Sequence, residues 1–142
     1  MIWDYCKHIN RYERFGDADK MNGLLVILLD IIREESKQPL VVHCGIEGSG
    51  HATKSYHYTG DAVDFHLVGC DLPCAAIKIL ETLKRMNIKY YGLGAYPYWN
   101  NKGFHLDLGY RKDNEKLYWV GKEDNTYDYY KDTGSFIKAI SL

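Results

Sequence analysis

Between Asp61 and Leu67 the chain reads Asp-Ala-Val-Asp-Phe-His-Leu, and from Phe104 to Leu108 it reads Phe-His-Leu-Asp-Leu. Alternation of apolar and polar residues is the period of a half-buried strand, whose successive side chains leave opposite faces. Val63, Phe65 and Leu67 then share one face of the first strand, opposite Ala62, Asp64 and His66. In the second, Phe104, Leu106 and Leu108 oppose His105 and Asp107. Each strand presents an oily side to a core and a polar row to the other side. That polar row holds imidazoles and carboxylates, with no Lys, Thr or Ser among them, and five of the six histidines fall between positions 43 and 105. These groups are the ones that bind metal ions.

The rest of the chain supplies helices to cover the oily side. Asp17 or Asp19 can cap a helix running to about Ser36, dense in apolar positions and solvated at its end by Arg33-Glu34-Glu35. Gln38-Pro39 stops it, and Leu40 to Cys44 reads as a strand. The loop from Gly45 to Tyr58 carries Gly45, Gly48 and Gly50 and turns freely. Asp71, with Pro73 in the first turn, starts a second helix through Met86, with Ala75, Ala76, Ile79, Leu80 and Leu83 on one face. Ile88 to Tyr91 and Leu117 to Val120 read as further strands, and Ser135 to Ile140 as a short closing helix. This order predicts an α+β fold, a small antiparallel sheet packed by two main helices.

At 142 residues the chain suffices for one domain with its own core, and 46% hydrophobic against 26% charged residues is ordinary globular composition. A formal net charge of −1 with no basic run argues against nucleic acid as a partner. The longest apolar run, Leu24 to Leu29, falls far short of the roughly 20 residues that span a bilayer, so no membrane association is expected. The first residues lack the apolar stretch of a secretory signal, which predicts a protein made in the cytoplasm; a monomer is expected. Thirteen tyrosines suit a groove for polar and sugar-like surfaces, and equally suit strand packing. Cys6, Cys44, Cys70 and Cys74 are too few and scattered for a disulfide framework. Cys70 and Cys74 lack the partner pair a second metal site needs.

The stretch Ser55-Tyr56-His57-Tyr58-Thr59-Gly60-Asp61-Ala62-Val63-Asp64 resembles the signature of the zinc D-alanyl-D-alanine carboxypeptidase family of murein peptidases. That superfamily also contains the amino-terminal domain of hedgehog proteins. Tyr91-Gly92-Leu93-Gly94-Ala95-Tyr96-Pro97, leading into Gly103-Phe104-His105-Leu106-Asp107, is similar to the second half of the pattern in its small bacterial and phage branch. Together the matched segments span about residues 15–112. The resemblance implies a hedgehog-like fold, a Zn2+ ion held by His57, Asp64 and His105, and hydrolysis of amide bonds in peptidoglycan peptides. Three protein ligands leave the fourth position that a catalytic zinc keeps open.

Two positions depart from that pattern. Many members carry a Ser-Gly-Tyr-Arg stretch whose arginine holds the substrate; the corresponding place here is Cys44-Gly45-Ile46-Glu47. Others place an acidic base shortly before the last zinc histidine, where this chain has Asn100, Asn101 and Lys102. Asp107 is then the candidate base, with a supporting anchor or a ligand as its other roles. His51, six residues before His57, resembles a hedgehog-type histidine beside the metal and would stabilise an oxyanion. His43 reads as a strand histidine. A zinc peptidase, either a D-Ala-D-Ala carboxypeptidase or an endolysin-type enzyme, is the reading the resemblance favours; the missing signal suggests release to the cell wall in the manner of a phage endolysin. Its rivals are a zinc module that binds without hydrolysis and a tail-associated wall-binding protein.

Overall fold

The computed structural model describes residues 1–141. Helix α1 (Gly23–Ser36) is capped by Asn22, whose side chain accepts from the Leu24 and Leu25 amides, and it ends at Lys37 in the left-handed conformation. The expected start at Asp17 or Asp19 is thus corrected: Ala18–Lys20 is a separate turn of 3-10 helix. Strand β1 (Leu40–Cys44) follows, then β2 (Ala62–Leu67) after the glycine-bearing loop. Helix α2 (Leu72–Arg85) starts at Asp71, which accepts from the Cys74 amide. Strands β3 (Tyr91–Tyr96), β4 (Gly103–Asp107), β5 (Lys116–Gly121) and β6 (Tyr127–Tyr130) complete the sheet, and α3 (Thr133–Ile140) closes the chain.

The six strands lie in the order β1-β2-β4-β3-β5-β6. All neighbours are antiparallel except β3 and β5, so the sheet is mixed rather than antiparallel. The exception has a local cause. The link 108–115 leaves β4 at the end where β3 begins, passes over that end, and starts β5 beside Tyr91, sending it the same way as β3. The strand expected at Ile88 to Tyr91 begins only at Tyr91. Strand β6 was not expected from the sequence, and α3 is a third helix against that sheet.

One hydrophobic cluster joins the helices to the sheet. Leu25, Leu28, Leu29 and Ile32 of α1 and Ile79 and Leu83 of α2 meet Val63, Phe65, Leu93, Phe104 and Leu106, all fully or nearly fully buried. A buried side chain of this size contributes about 1.5–3 kcal/mol. These contacts set which way each strand faces, and they thereby deliver Asp64, His66, His105 and Asp107 to the opposite face. No helix is long and apolar enough to cross a membrane among the described residues.

Candidate metal centre

Register places the first two ligating groups. In the antiparallel β2–β4 pair Asp64 stands directly opposite His105, and directly opposed residues hold their Cβ atoms about 5 Å apart. His57 arrives from the loop. Ser55 caps a 3-10 turn, Tyr56–Thr59, by accepting from the His57 amide, and Gly60 ends it at a φ of 78°. A Cβ at Gly60 would strike the Lys20 carbonyl, so glycine is required by both conformation and space.

The three ring and carboxylate atoms converge. His57 Nε2 is 3.1 Å from Asp64 Oδ1, and His105 Nδ1 is 3.2 Å from each of them. Tetrahedral zinc bonded at about 2.0 Å keeps its ligands about 3.3 Å apart. Two imidazoles and a carboxylate also form the donor set that borderline divalent ions take. The residues present therefore fit a metal ion.

Their supports fit it as well. His57 is 2% exposed, and its Nδ1 lies 2.8 Å from the Gly45 carbonyl, which only accepts. Nδ1 donates there, so Nε2, which faces Asp64, is the atom a bound ion would take. His105 uses its other nitrogen, Nε2, on Asp107 Oδ2 at 2.8 Å, leaving Nδ1 for the cluster. A carbonyl and a carboxylate behind two histidines are the usual orienting partners of metal ligands. Asp107, 1% exposed, is held in turn by Arg111, whose Nη1 donates to Oδ1 at 2.5 Å and Nη2 to Oδ2 at 3.3 Å. The Gly109 amide donates to Oδ1 as well. Asp107 thus stands behind His105, with both oxygens engaged.

Charge follows the same plan. Burial pushes the Asp64 carboxyl up, but hydrogen bonds from His105 and His57 outweigh it and hold Asp64 well below the usual carboxylate range. Burial alone would lower His105, yet the bonds to Asp107 and Asp64 raise it to about 9. Burial and the neighbouring Asp64 push the Cys44 thiol far up, keeping it protonated. As a thiol it donates to Asp64 Oδ2 at 3.3 Å. Asp64 is thereby an anion with imidazole nitrogens from two directions.

Glycines make room for the floor. Gly92 and Gly94 face the site from β3, where a Cβ would collide with the Arg111 guanidinium and with the Trp119 indole, respectively. Their absence of side chains lets Trp119 of β5 reach the His105 ring, 5.1 Å away between centroids.

His51 lies over the ligands. Its ring stacks on His57, with centroids 4.1 Å apart and planes at 17°, and its backbone is pinned by the Tyr58 hydroxyl through N–H and C=O at 3.0 and 2.6 Å. His51 Nε2 is buried without a hydrogen-bond partner, with Glu47 Oε2 at 3.5 Å. Cys44, His51 and His57 also approach closely enough to be considered a second ligand group. Cys44 approaches His57 at Nδ1, 3.9 Å away, the atom already hydrogen-bonded to the Gly45 carbonyl. Cys70 and Cys74 belong to neither group.

A β-bulge between Val42 and Cys44 turns both His43 and Cys44 toward the polar face. His43 Nε2 pairs with His66 Nδ1 at 2.7 Å and packs on Trp99. These two histidines stay outside the cluster. His57, Asp64 and His105 floor a cleft of about 650 Å³, walled by the His51 loop on one side and the β5–β6 turn on the other. Sequence reasoning missed Arg111 and Cys44 as site residues; Arg111, four residues past Asp107 in the link after β4, carried no periodic signal.

Compared with protein-family models, curated proteins and solved structures, the chain matches none.

Proposed function

We propose that the protein is a zinc-dependent peptidase acting on amide bonds of peptidoglycan peptides. The observation that carries this reading is the triad His57, Asp64 and His105, converging at 3.1–3.2 Å on the floor of an open cleft. The resemblance of both flanking motifs to murein peptidases supports the substrate class.

Bound zinc would supply Lewis acidity, polarising a scissile carbonyl and making a water nucleophilic near neutral pH. The chain's own residues do the rest. Gly45 and Asp107 fix the two imidazoles, and Cys44 steadies the second oxygen of Asp64. His51 Nε2, buried and uncommitted beside the ligands, is placed to donate to a developing oxyanion. Asp107, with both oxygens occupied behind His105, takes the role of anchor rather than base. Glu123, which lines the cleft, and Glu47, beside His51, remain as carboxylates to accept the proton.

The test is incubation of zinc-loaded protein with purified cell walls, followed by mass spectrometry of released peptides. New termini at one amide bond are expected. The engaged state of Asp107 favours one alternative, a zinc module that binds walls without cutting them; it would sediment with the walls and release nothing.

A further inference from the structure

Strand β6 is the edge of the sheet, paired only with β5. Edge strands commonly carry charges that discourage pairing. Here the cleft face carries Tyr127 and Tyr129, two residues apart and 45% and 62% exposed, while Tyr130 packs toward the core. The two exposed rings contribute little to that core. They extend a chain of aromatic contacts that starts at the ligand cluster. Trp119, beside His105, lies 6.4 Å from Tyr129; Tyr129 lies 6.3 Å from Tyr127; Tyr127 lies 6.5 Å from Tyr96, which stacks on Trp99. Trp119 is fixed by donating its Nε1 hydrogen to the Tyr96 hydroxyl at 3.0 Å.

We propose that this aromatic wall is a subsite for the sugar rings of a glycosylated substrate, next to the cluster that would act on the attached peptide. The proposal takes its substrate from the reading above. A pyranose has an apolar C–H face and hydroxyl or acetamido groups around its edge. It therefore needs flat aromatic surfaces with hydrogen-bonding groups at their margin. The margin here is the β5–β6 turn, where Lys122, Glu123 and Asn125 line the cleft with donors and acceptors of both signs. A lipid tail would gain nothing from that charged rim. A nucleic acid would need several unpaired cations, whereas Lys122 is paired with Asp128 at 3.1 Å and Arg111 with Asp107, leaving Lys54 as the cleft's one cation without an ion pair among the described residues, and the chain carries a net charge of −1.

The chain has three tryptophans, Trp3, Trp99 and Trp119, and their indole N–H signals report on separate places. Trp3 packs against Phe15, away from the cleft. Titration of 15N-labelled protein with the β-1,4-linked tetramer of N-acetylglucosamine should move the Trp119 and Trp99 signals and leave Trp3 still. Half-saturation is expected at about 1 mM. Tyr129→Ala and, separately, Tyr127→Ala should each weaken the response about 10-fold, with an unmoved Trp3 signal reporting an intact fold.

Absence of any shift at about 10 mM tetramer would overturn the subsite, as would unchanged curves in both variants. So would a sugar-free stem peptide moving Trp119 where the tetramer does not, since the wall would then belong to the peptide. The titration requires neither metal nor turnover. Failure of sugar binding with intact wall hydrolysis overturns this inference alone, and sugar binding without hydrolysis overturns only the peptidase reading.

Discussion

Asp64 and His105 face each other across β2 and β4, with Oδ1 3.2 Å from Nδ1, and each is backed by a second group that fixes its orientation. Cys44 holds the far oxygen of Asp64, and Asp107 holds the far nitrogen of His105. Two adjacent strands thereby present one carboxylate oxygen and one imidazole nitrogen at a single point, where His57 completes the set.

The role of Asp107 divides two accounts of the site. As an anchor, Asp107→Asn should weaken zinc affinity about 10- to 100-fold, the usual effect of removing a ligand's orienting partner. A general base would instead leave zinc affinity intact while turnover fell about 100-fold or more. Competition against a chromogenic chelator, run beside the wall-hydrolysis assay, separates the two.

His51 is expected to act after substrate is bound. His51→Ala should lower kcat about 100-fold, the scale of losing one oxyanion donor, with KM and zinc content nearly unchanged. An effect confined to KM would make His51 a substrate contact.

Gly94 tests the floor of the cleft. Gly94→Ala puts a methyl group against the Trp119 indole, and overpacking of this kind costs about 1–3 kcal/mol. Urea denaturation should show that loss. Gly48→Ala, where a Cβ meets open space, is the control and should stay near wild type.

Asp30 sets an acid limit on the fold. Its buried carboxylate accepts from the backbone amides of Lys7, His8 and Ile9, tying the N-terminal segment to α1. Burial raises its pKa, but these three bonds outweigh burial and hold it below the ordinary carboxylate value. A carboxyl lowered by folding stabilises above its unfolded pKa, near 3.9, and that contribution is lost as pH falls through the folded value. Asp30→Asn should therefore cost about 1.5–3 kcal/mol at pH 7. The gap to wild type in urea melts should begin to narrow near pH 4 and keep shrinking as pH falls further. A gap independent of pH would contradict this assignment.

Much of the site could be read from residue order because a strand's period of two is rigid. Once Val63, Phe65, Phe104 and Leu106 are assigned to the core, Asp64 and His105 have only one face left. What the residues do not announce is pairing. Nothing near Asp107 indicates that its oxygens are taken by His105 and Arg111, since Arg111 reaches back from an irregular link. The parallel β3–β5 pair likewise depends on how that link crosses the sheet end. Strand β6, Tyr127–Tyr130, escaped notice because exposed tyrosines and Asp128 lack an apolar alternation. Helix α1 begins late because Asn22, not Asp17 or Asp19, has its side chain in reach of the first free amides.

The central claim is that His57, Asp64 and His105 hold one zinc ion. Anomalous scattering at the zinc edge from crystals grown with stoichiometric zinc tests it most directly. One peak is expected, bonded to His57 Nε2, Asp64 Oδ1 and His105 Nδ1 at about 2.0–2.2 Å. A peak at Cys44 and His51, or no peak at the triad in protein that retains zinc, would contradict it.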